Sequence, residues 1–166
     1  MTIVRTENPA DIAAIREVHI ASFPSDAEAR LVELLRDAGH LTVSLVAEVG
    51  GNVVGHVAFS PVSARTGVPG VGLAPIAVLP GHRCQGIAGE LVTRGLEMCA
   101  ACGCAWAVVL GDPGYYSRFG FHTAQGFGLA DEYGGGPAFQ AIELVAGLLP
   151  VGAGLVTYAP EFALVL

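Results

Sequence analysis

The 166-residue sequence contains no lysine, so all eight of its fixed cationic side chains are arginines. Schiff-base catalysis, which needs a lysine amine, is therefore excluded. Charged residues make up only 14% of the chain, and their net charge of −7 argues against nucleic-acid binding, which needs a basic surface. The acidic balance favours a cationic substrate such as an amine.

Long apolar runs are also lacking. No stretch approaches the roughly 20 uninterrupted apolar residues of a membrane span, and the N-terminal residues have no apolar signal core. Hydrophobic residues nevertheless make up 52% of the chain, which indicates a compact fold and not a disordered one. We expect a cytoplasmic protein, with no membrane or nucleic-acid partner, in which residues 1–166 form a single domain.

Cysteine is scarce, and three of the four cysteines are clustered as Cys99-x-x-Cys102-x-Cys104. A zinc site needs four ligands, and no second pair of Cys or His residues follows. Cys99 and Cys102 would lie on the apolar side of a helix, where a thiol behaves as a small hydrophobe. We interpret the cluster as core packing and expect no metal, with a thiol-based metal or redox protein as a rival interpretation.

The stretch from Ile76 to Gly89 carries the strongest functional signal. It reads Ile-Ala-Val-Leu-Pro-Gly-His-Arg-Cys-Gln-Gly-Ile-Ala-Gly: an apolar strand, a glycine-bearing loop and the start of a helix. A helix that begins among small residues leaves free backbone N–H groups at its positive end, which favours a phosphate site. No Gly-Lys-Ser/Thr follows, which excludes a nucleoside-triphosphate loop, and no Gly-x-Gly-x-x-Gly occurs to suggest a Rossmann turn.

Two motifs in this part of the chain resemble one family. Residues Arg83 to Ala88 match Arg/Gln-x-x-Gly-x-Gly/Ala, the pyrophosphate signature of the GNAT superfamily of acetyl-CoA-dependent N-acetyltransferases. Residues 111–121 read Gly-Asp-Pro-Gly-Tyr-Tyr-Ser-Arg-Phe-Gly-Phe, which resembles a small bacterial branch of that superfamily. Many members carry a tyrosine four residues before a Gly-Phe pair, as Tyr116 stands before Gly120.

The resemblance implies an α+β fold: an α/β/α sandwich with a mixed, mostly antiparallel sheet, a splayed pair of parallel strands and about four helices. It also implies direct transfer of an acetyl group from acetyl-CoA to a primary amine of a small molecule or peptide, in a ternary complex. A non-catalytic CoA-binding sensor or interaction module of the same fold is the alternative. The amine acceptor is not identified, and a homodimer is a candidate assembly because similar proteins often dimerise.

The same resemblance implies which residues form the site. Tyr116 would be the acid near the sulfur. The expected cofactor-binding residues are Ile76, Ala77, Val78, Arg83, Cys84, Gln85, Gly86, Ile87, Ala88, Gly89, Asp112 and Tyr116. Asp112 is a weak candidate because it also suits the cap of a short helix. No general base is identified, since Gly72 stands where some members carry a glutamate; Glu48, His56, a water chain or no base at all are open.

Two predicted N-terminal helices would border the acceptor site in such a fold. The first follows Asn8-Pro9 and stops by Phe23, and the second begins at a capping box from Ser25 to Glu28. Phe23 and Glu28 are therefore candidate substrate-binding residues. His56, on a predicted strand, is a third candidate, although a lone histidine on a strand is more often structural.

Strands are predicted from alternating apolar residues and the turns between them. Segments 42–49 and 53–60 flank Gly50-Gly51-Asn52 and predict an antiparallel hairpin. Pro75 cannot donate to a ladder, so it predicts a bulge, or a place where pairing stops, in the strand 71–78. Three further segments are assigned: a mobile loop at 126–137, a strand at 138–145 and a final edge strand at 154–158.

Overall fold

The structure is a computed structural model that describes all 166 residues. The nine strands are β1 (Thr2–Thr6), β2 (Val43–Val49), β3 (Asn52–Val62), β4 (Gly70–Val78), β5 (Trp106–Leu110), β6 (His122–Thr123), β7 (Leu129–Asp131), β8 (Phe139–Glu143) and β9 (Gly154–Val156). The four helices are α1 (Ile12–Ser22), α2 (Ala27–Asp37), α3 (Ile87–Ala101) and α4 (Pro113–Tyr116). None of the helices is long and apolar enough to cross a membrane.

Seven strands form one sheet in the order β1-β2-β3-β4-β5-β8-β6. Every neighbouring pair is antiparallel except β4 and β5, which are parallel. A parallel pair needs a long crossover connection, and α3 provides it. The predicted hairpin is present as β2 and β3. The sheet is therefore mixed and mostly antiparallel, as the resemblance implied.

The helices cover both faces of this sheet. Leu45 of β2 belongs to the same core cluster as Leu91 of α3, whereas the next residue, Val46, packs with Ile15 of α1 and Val32 of α2. Because successive side chains of a strand point to opposite faces, α3 lies on one face and the α1–α2 pair on the other. This arrangement confirms the α/β/α sandwich.

The bulge predicted from Pro75 is present in β4. The β3 segment from Val57 to Phe59 lies opposite the β4 segment from Ile76 to Leu73, which is one residue longer. On its other side, β4 pairs with β5 only from its first residue to Leu73. Beyond that point the parallel strands have no further pairing, so a gap opens between them.

The start of α2 differs from the prediction. The Ser25 hydroxyl accepts a hydrogen bond from the N–H of Ala27 at 3.2 Å, but the Glu28 side chain does not return one to the backbone. The capping box is therefore wrong. The predicted end of the first helix is confirmed, since α1 stops at Ser22, just before Phe23 and Pro24.

The C-terminal region also differs. Part of the segment predicted as a loop forms β7, which pairs in parallel with β9 in a separate two-stranded sheet. The Asp131 carboxylate accepts hydrogen bonds from the N–H groups of Tyr133 and Gly135, at 3.0 and 2.8 Å, and these bonds hold the following turn. The final strand is therefore not an edge of the main sheet, because its partner is β7.

The cysteines lie in two environments and form no disulfide. Cys99 and Cys104 are buried, and burial raises the pKa of the Cys99 thiol. The prediction that Cys102 packs on the apolar side of the helix is wrong: α3 ends at Ala101, and Cys102 is exposed in its C-terminal cap. No group of three or more His, Cys, Asp or Glu side chains is arranged to hold a metal ion.

Candidate functional site

The connection between β4 and α3 borders a cavity of about 490 Å³, here called the loop cavity. Its lining residues are Ile76, Ala77, Val78, His82, Arg83, Cys84, Gly86, Ile87, Ala88, Gly89, Tyr115 and Arg118. Almost all of the predicted cofactor-binding residues thus surround one space. The three exceptions are Gln85, Asp112 and Tyr116, none of which lines this cavity.

The backbone of this connection leaves many donors free. Cys84 has a φ of 61° and Gly86, which caps the N-terminus of α3, has a φ of 80°. Glycine adopts this left-handed conformation without steric cost. The N–H groups of residues 84–89 donate to no acceptor in the protein. These donors, at the positive end of a helix, suit an anion such as a phosphate.

Cationic side chains also border the loop cavity, and no carboxylate does. The Nε of Arg83 donates to the carbonyl oxygen of Val78 at 2.9 Å, which holds the guanidinium beside the loop. The Arg118 guanidinium lies 4.4 Å from the centroid of the Tyr115 ring, and its Nε donates to the Tyr115 carbonyl at 2.9 Å. The cavity therefore favours a ligand of negative charge.

A second cavity, of about 500 Å³, opens where β4 and β5 part and is here called the apolar cavity. Its lining residues are Phe23, Ala27, Glu28, Leu31, Leu73, Ala74, Pro75, Ile76, Leu110, Tyr116, Tyr133, Tyr158, Phe162, Val165 and Leu166. Ile76 lines both cavities. A ligand held by the loop cavity is therefore placed next to the apolar cavity, with β4 as their common wall.

Tyr116 lies at the end of α4, which the Asp112 side chain caps by accepting from the Gly114 N–H at 2.9 Å. The ring packs edge-on against Phe121, with ring centroids 5.8 Å apart. Its hydroxyl makes no hydrogen bond to the protein. Because Tyr116 lines the apolar cavity, the hydroxyl can hydrogen-bond to a ligand or to water there. Burial, with a contribution from Tyr115, raises the pKa of Tyr116 to about 12, so the phenol is protonated at neutral pH.

At position 72, where some similar proteins carry a glutamate, there is no room for a side chain in this structure. A Cβ on Gly72 would lie only 2.8 Å from Cε1 of Tyr158, closer than such atoms approach. The ring of Tyr158 thus occupies the space that a side chain at position 72 would need. Glycine at this position permits the close packing of Tyr158 against β4.

His56 lies in neither cavity, because its side chain is completely buried within the sheet and α1 layers. Its Nδ1 hydrogen-bonds with Nε2 of His19 at 2.8 Å, and its Nε2 with the Ser44 hydroxyl at 2.8 Å. The Ser44 hydroxyl in turn donates to the Glu7 carboxylate. Burial lowers the pKa of both histidines, His19 to about 3, so both are neutral near pH 7.

The predicted substrate-binding residues Phe23 and Glu28 both line the apolar cavity, together with Tyr116. The sequence interpretation missed the rest of this cavity's aromatic wall, which is formed by Tyr133, Tyr158 and Phe162. It also did not assign His82, Tyr115 and Arg118 to the loop cavity. The motif around residues 111–121 did contain Tyr115 and Arg118, so a signal for these two residues was available.

Comparison with known proteins gives a consistent set of matches. The model of the acetyltransferase (GNAT) family matches residues 12–121. The chain is 44% identical over 163 residues to the Escherichia coli K12 protein named uncharacterized N-acetyltransferase YhbS, covering 96% of this chain and 98% of that protein. The crystal structure of E. coli YhbS in complex with CoA superposes with a TM-score of 0.92 at 42% identity, over 98% of this chain and 92% of that one. A GNAT family acetyltransferase from Brucella melitensis in complex with acetyl-CoA gives 0.79 at 38% identity, over 98% of both chains.

Proposed function

Because the chain belongs to the GNAT acetyltransferase family, we propose that it transfers the acetyl group of acetyl-CoA directly to a primary amine in a ternary complex. The observation that carries this proposal is the row of unpaired N–H groups at residues 84–89, directly beside the gap between β4 and β5. The first feature suits a diphosphate, and the second suits an extended arm. Coenzyme A contains both.

The binding site follows from the two cavities. The N–H groups of residues 84–89 and the guanidinium of Arg83 would hold the diphosphate in the loop cavity. Residues 76–78 of β4, which have no partner on β5, would pair with the arm that leads to the sulfur. The relatives support this choice of ligand, since the YhbS structure contains CoA and the Brucella structure contains acetyl-CoA.

Acetyl transfer requires three things of the protein. The amine must be neutral when it attacks the carbonyl carbon, the carbonyl oxygen must be stabilised, and the sulfur must gain a proton as the C–S bond breaks and the C–N bond forms. Backbone N–H groups of β4 near Ile76 would stabilise the oxygen. The Tyr116 hydroxyl would donate the proton to the sulfur, and the proton lost by the amine would return through water to the Tyr116 phenolate.

A non-catalytic CoA-binding module is the second candidate function. Two observations favour it, because neither leaves a general base: Gly72 has no carboxylate and Tyr158 fills the space beside it, and His56 is enclosed away from both cavities. Release of CoA thiol in the presence of an amine distinguishes the two. A non-catalytic module would bind acetyl-CoA but release no CoA thiol.

The proposed diphosphate site in the loop cavity is tested by the substitution Ala88→Glu. Ala88 lines the loop cavity in the first turn of α3, where an added carboxylate suits the helix but repels a diphosphate. We expect acetyl-CoA affinity to fall by at least about 100-fold, because like charges in contact cost several kcal/mol. Isothermal calorimetry with acetyl-CoA measures the loss.

Thr93→Glu is the matched control, because Thr93 is exposed on the same helix and lines neither the loop cavity nor the apolar cavity. This variant carries the same added charge and should bind acetyl-CoA like the wild type. Equal affinity of the Ala88→Glu variant and the wild type for acetyl-CoA would contradict the proposed diphosphate site in the loop cavity. Failure of the wild type to bind acetyl-CoA would contradict the proposed function itself.

A further inference from the structure

The Glu28 carboxylate is unpaired in a place where carboxylates are normally compensated. Glu28 lies in the first turn of α2 and lines the apolar cavity. Its Oε1 is buried and accepts no hydrogen bond, and the side chain forms no ion pair with any arginine or histidine. A buried carboxylate oxygen without a donor is costly, so such a group in a cavity indicates a missing cationic or donor partner.

The other residues that line the apolar cavity indicate what kind of molecule carries this cationic or donor group. Glu28 is the only charged side chain among the 15 lining residues, 13 of which are hydrophobic. Aromatic rings of Phe23, Tyr133, Tyr158 and Phe162 form much of the wall. Such rings bury an apolar body and attract a cation over their faces. No arginine or histidine is present to compensate an acidic group on a ligand.

We propose that the acceptor is an apolar primary monoamine, whose ammonium group is bound by Glu28 and whose aryl or alkyl body fills the aromatic wall of the apolar cavity. This inference rests on the proposed acetyltransferase function, because it names the substrate class of the same site. Tyr116 and β4 line the same cavity, so an amine bound there lies in the space that the acetyl group would enter.

The cavity also excludes other classes of amine. An amino acid would bring a carboxylate into a space where the only charged side chain is another carboxylate, and the two would repel. A polyamine would bring additional ammonium groups, and no acidic side chain other than Glu28 lines the apolar cavity to pair with them. Both are therefore expected to bind more weakly than a monoamine with the same apolar body.

The experiment compares three probes by calorimetry at pH 8: 2-phenylethylamine, L-phenylalanine and spermidine, each titrated into the protein saturated with CoA. We expect 2-phenylethylamine to bind at least about 10-fold more tightly than the other two, since one uncompensated charge costs more than a factor of ten. Glu28→Gln should weaken its binding by about 10- to 100-fold, which is the usual effect of losing a charge-assisted hydrogen bond.

Two variants separate this effect from a structural one. Glu28→Asp keeps the carboxylate and should retain more affinity for 2-phenylethylamine than Glu28→Gln. Glu33→Gln changes a glutamate on the same helix that pairs with Arg16 at the surface, and it should bind the amine like the wild type. Unchanged 2-phenylethylamine binding by Glu28→Gln, or tighter binding of phenylalanine or spermidine, would overturn the inference.

The same experiment separates this inference from the proposed function. If the protein takes up no CoA, the proposed function fails, and titration of 2-phenylethylamine into the free wild-type and Glu28→Gln proteins still decides the role of Glu28. If CoA and 2-phenylethylamine both bind as expected but acetyl-CoA releases no thiol, the acceptor site stands and the enzymatic proposal fails. If another class of amine is acetylated instead, the enzyme stands and this substrate class is wrong.

Discussion

The Tyr116 phenol is protonated at neutral pH, since its ordinary pKa of 10 already lies well above 7 and burial raises it to about 12. It is therefore present in the protonated form that a general acid needs in order to donate to a departing thiolate. We expect Tyr116→Phe to lower kcat by about 100-fold or more, the usual loss when a general acid is removed. Steady-state assays of thiol release with acetyl-CoA and an accepted amine measure the effect.

The same substitution should leave acetyl-CoA affinity nearly unchanged, because the phenylalanine ring keeps the packing against Phe121. A calorimetric titration therefore serves as the control for Tyr116→Phe. A variant that binds acetyl-CoA normally and turns over at the wild-type rate would show that Tyr116 only packs beside the gap. A variant that loses binding would show a structural role.

At the level of single residues, the sequence predicted the loop cavity far better than the apolar cavity. The determinants of the loop cavity are contiguous, since Arg83 to Gly89 contribute their own backbone and begin their own helix. Tyr133, Tyr158 and Phe162 reach the apolar cavity only through long-range packing of the C-terminal region. Gly72 is a second example. Glycine is needed there because the Tyr158 ring packs against it, and no local sequence pattern reveals that long-range contact.

Among the elements, α3 packs against the sheet with a close contact at Gly95. A Cβ on Gly95 would lie 2.2 Å from Cε1 of Phe59, so the helix and β3 approach closely at this point. Alanine normally favours a helix over glycine. Here the overpacking outweighs that preference, and we expect Gly95→Ala to lower the free energy of unfolding by about 1–3 kcal/mol. Urea titration followed by circular dichroism measures it.

Gly89→Ala is the control for this prediction because it lies on the same helix. A Cβ at that position would be 3.8 Å from Cζ of Phe119, an ordinary contact. We expect this variant to be neutral or up to about 1 kcal/mol more stable than the wild type. Equal stability of the two alanine variants would show that the contact between Gly95 and Phe59 relaxes without cost.

Element boundaries were predictable where the controlling residues are local. Pro24 predicts the end of α1, and Pro75 predicts the bulge in β4. The capping box at Ser25 was wrong because Oε1 of Glu28 is buried at the apolar cavity and does not reach back to the helix start. The pairing of β7 with β9 was missed because a parallel pair joins segments that are distant in the sequence.

At the scale of the whole molecule, one polar network joins the sheet to the layer formed by α1 and α2. His19 of α1 contacts His56 of β3, which contacts Ser44 of β2, and Ser44 donates to Glu7. The Glu7 carboxylate also accepts two hydrogen bonds from Arg36 of α2, at 2.9 and 3.1 Å. The sequence offered His56 as a substrate-binding candidate, but its two partners, His19 and Ser44, come from α1 and β2 and could not be read from its own strand.

This network makes the stability of the protein depend on pH in a defined direction. Burial lowers the pKa of His19 to about 3 and also lowers the pKa of His56, so the folded protein keeps both rings neutral well below their ordinary value of 6.5. The unfolded chain therefore binds more protons, and the free energy of unfolding rises with pH. The full contribution of His19 is present above pH 6.5 and is lost as the pH falls from there towards 3.

We expect the free energy of unfolding to fall by roughly 1–3 kcal/mol between pH 7.5 and pH 5.5, since each neutral buried histidine costs about 1.4 kcal/mol per pH unit below its unfolded pKa. Burial opposes the shift, but the His56 ring, whose Nε2 lies 3.8 Å from Oε1, and hydrogen bonds from Arg36 and Ser44 lower the pKa of Glu7 to about 2. The stability that Glu7 contributes is therefore lost only below its ordinary pKa of 4.5. Urea titrations at both pH values measure the change.

The exposed variant His122→Gln should show the same pH dependence as the wild type, whereas His19→Gln should show a smaller one. Equal stability of the wild type at the two pH values would mean that the buried histidines take up protons in the folded state.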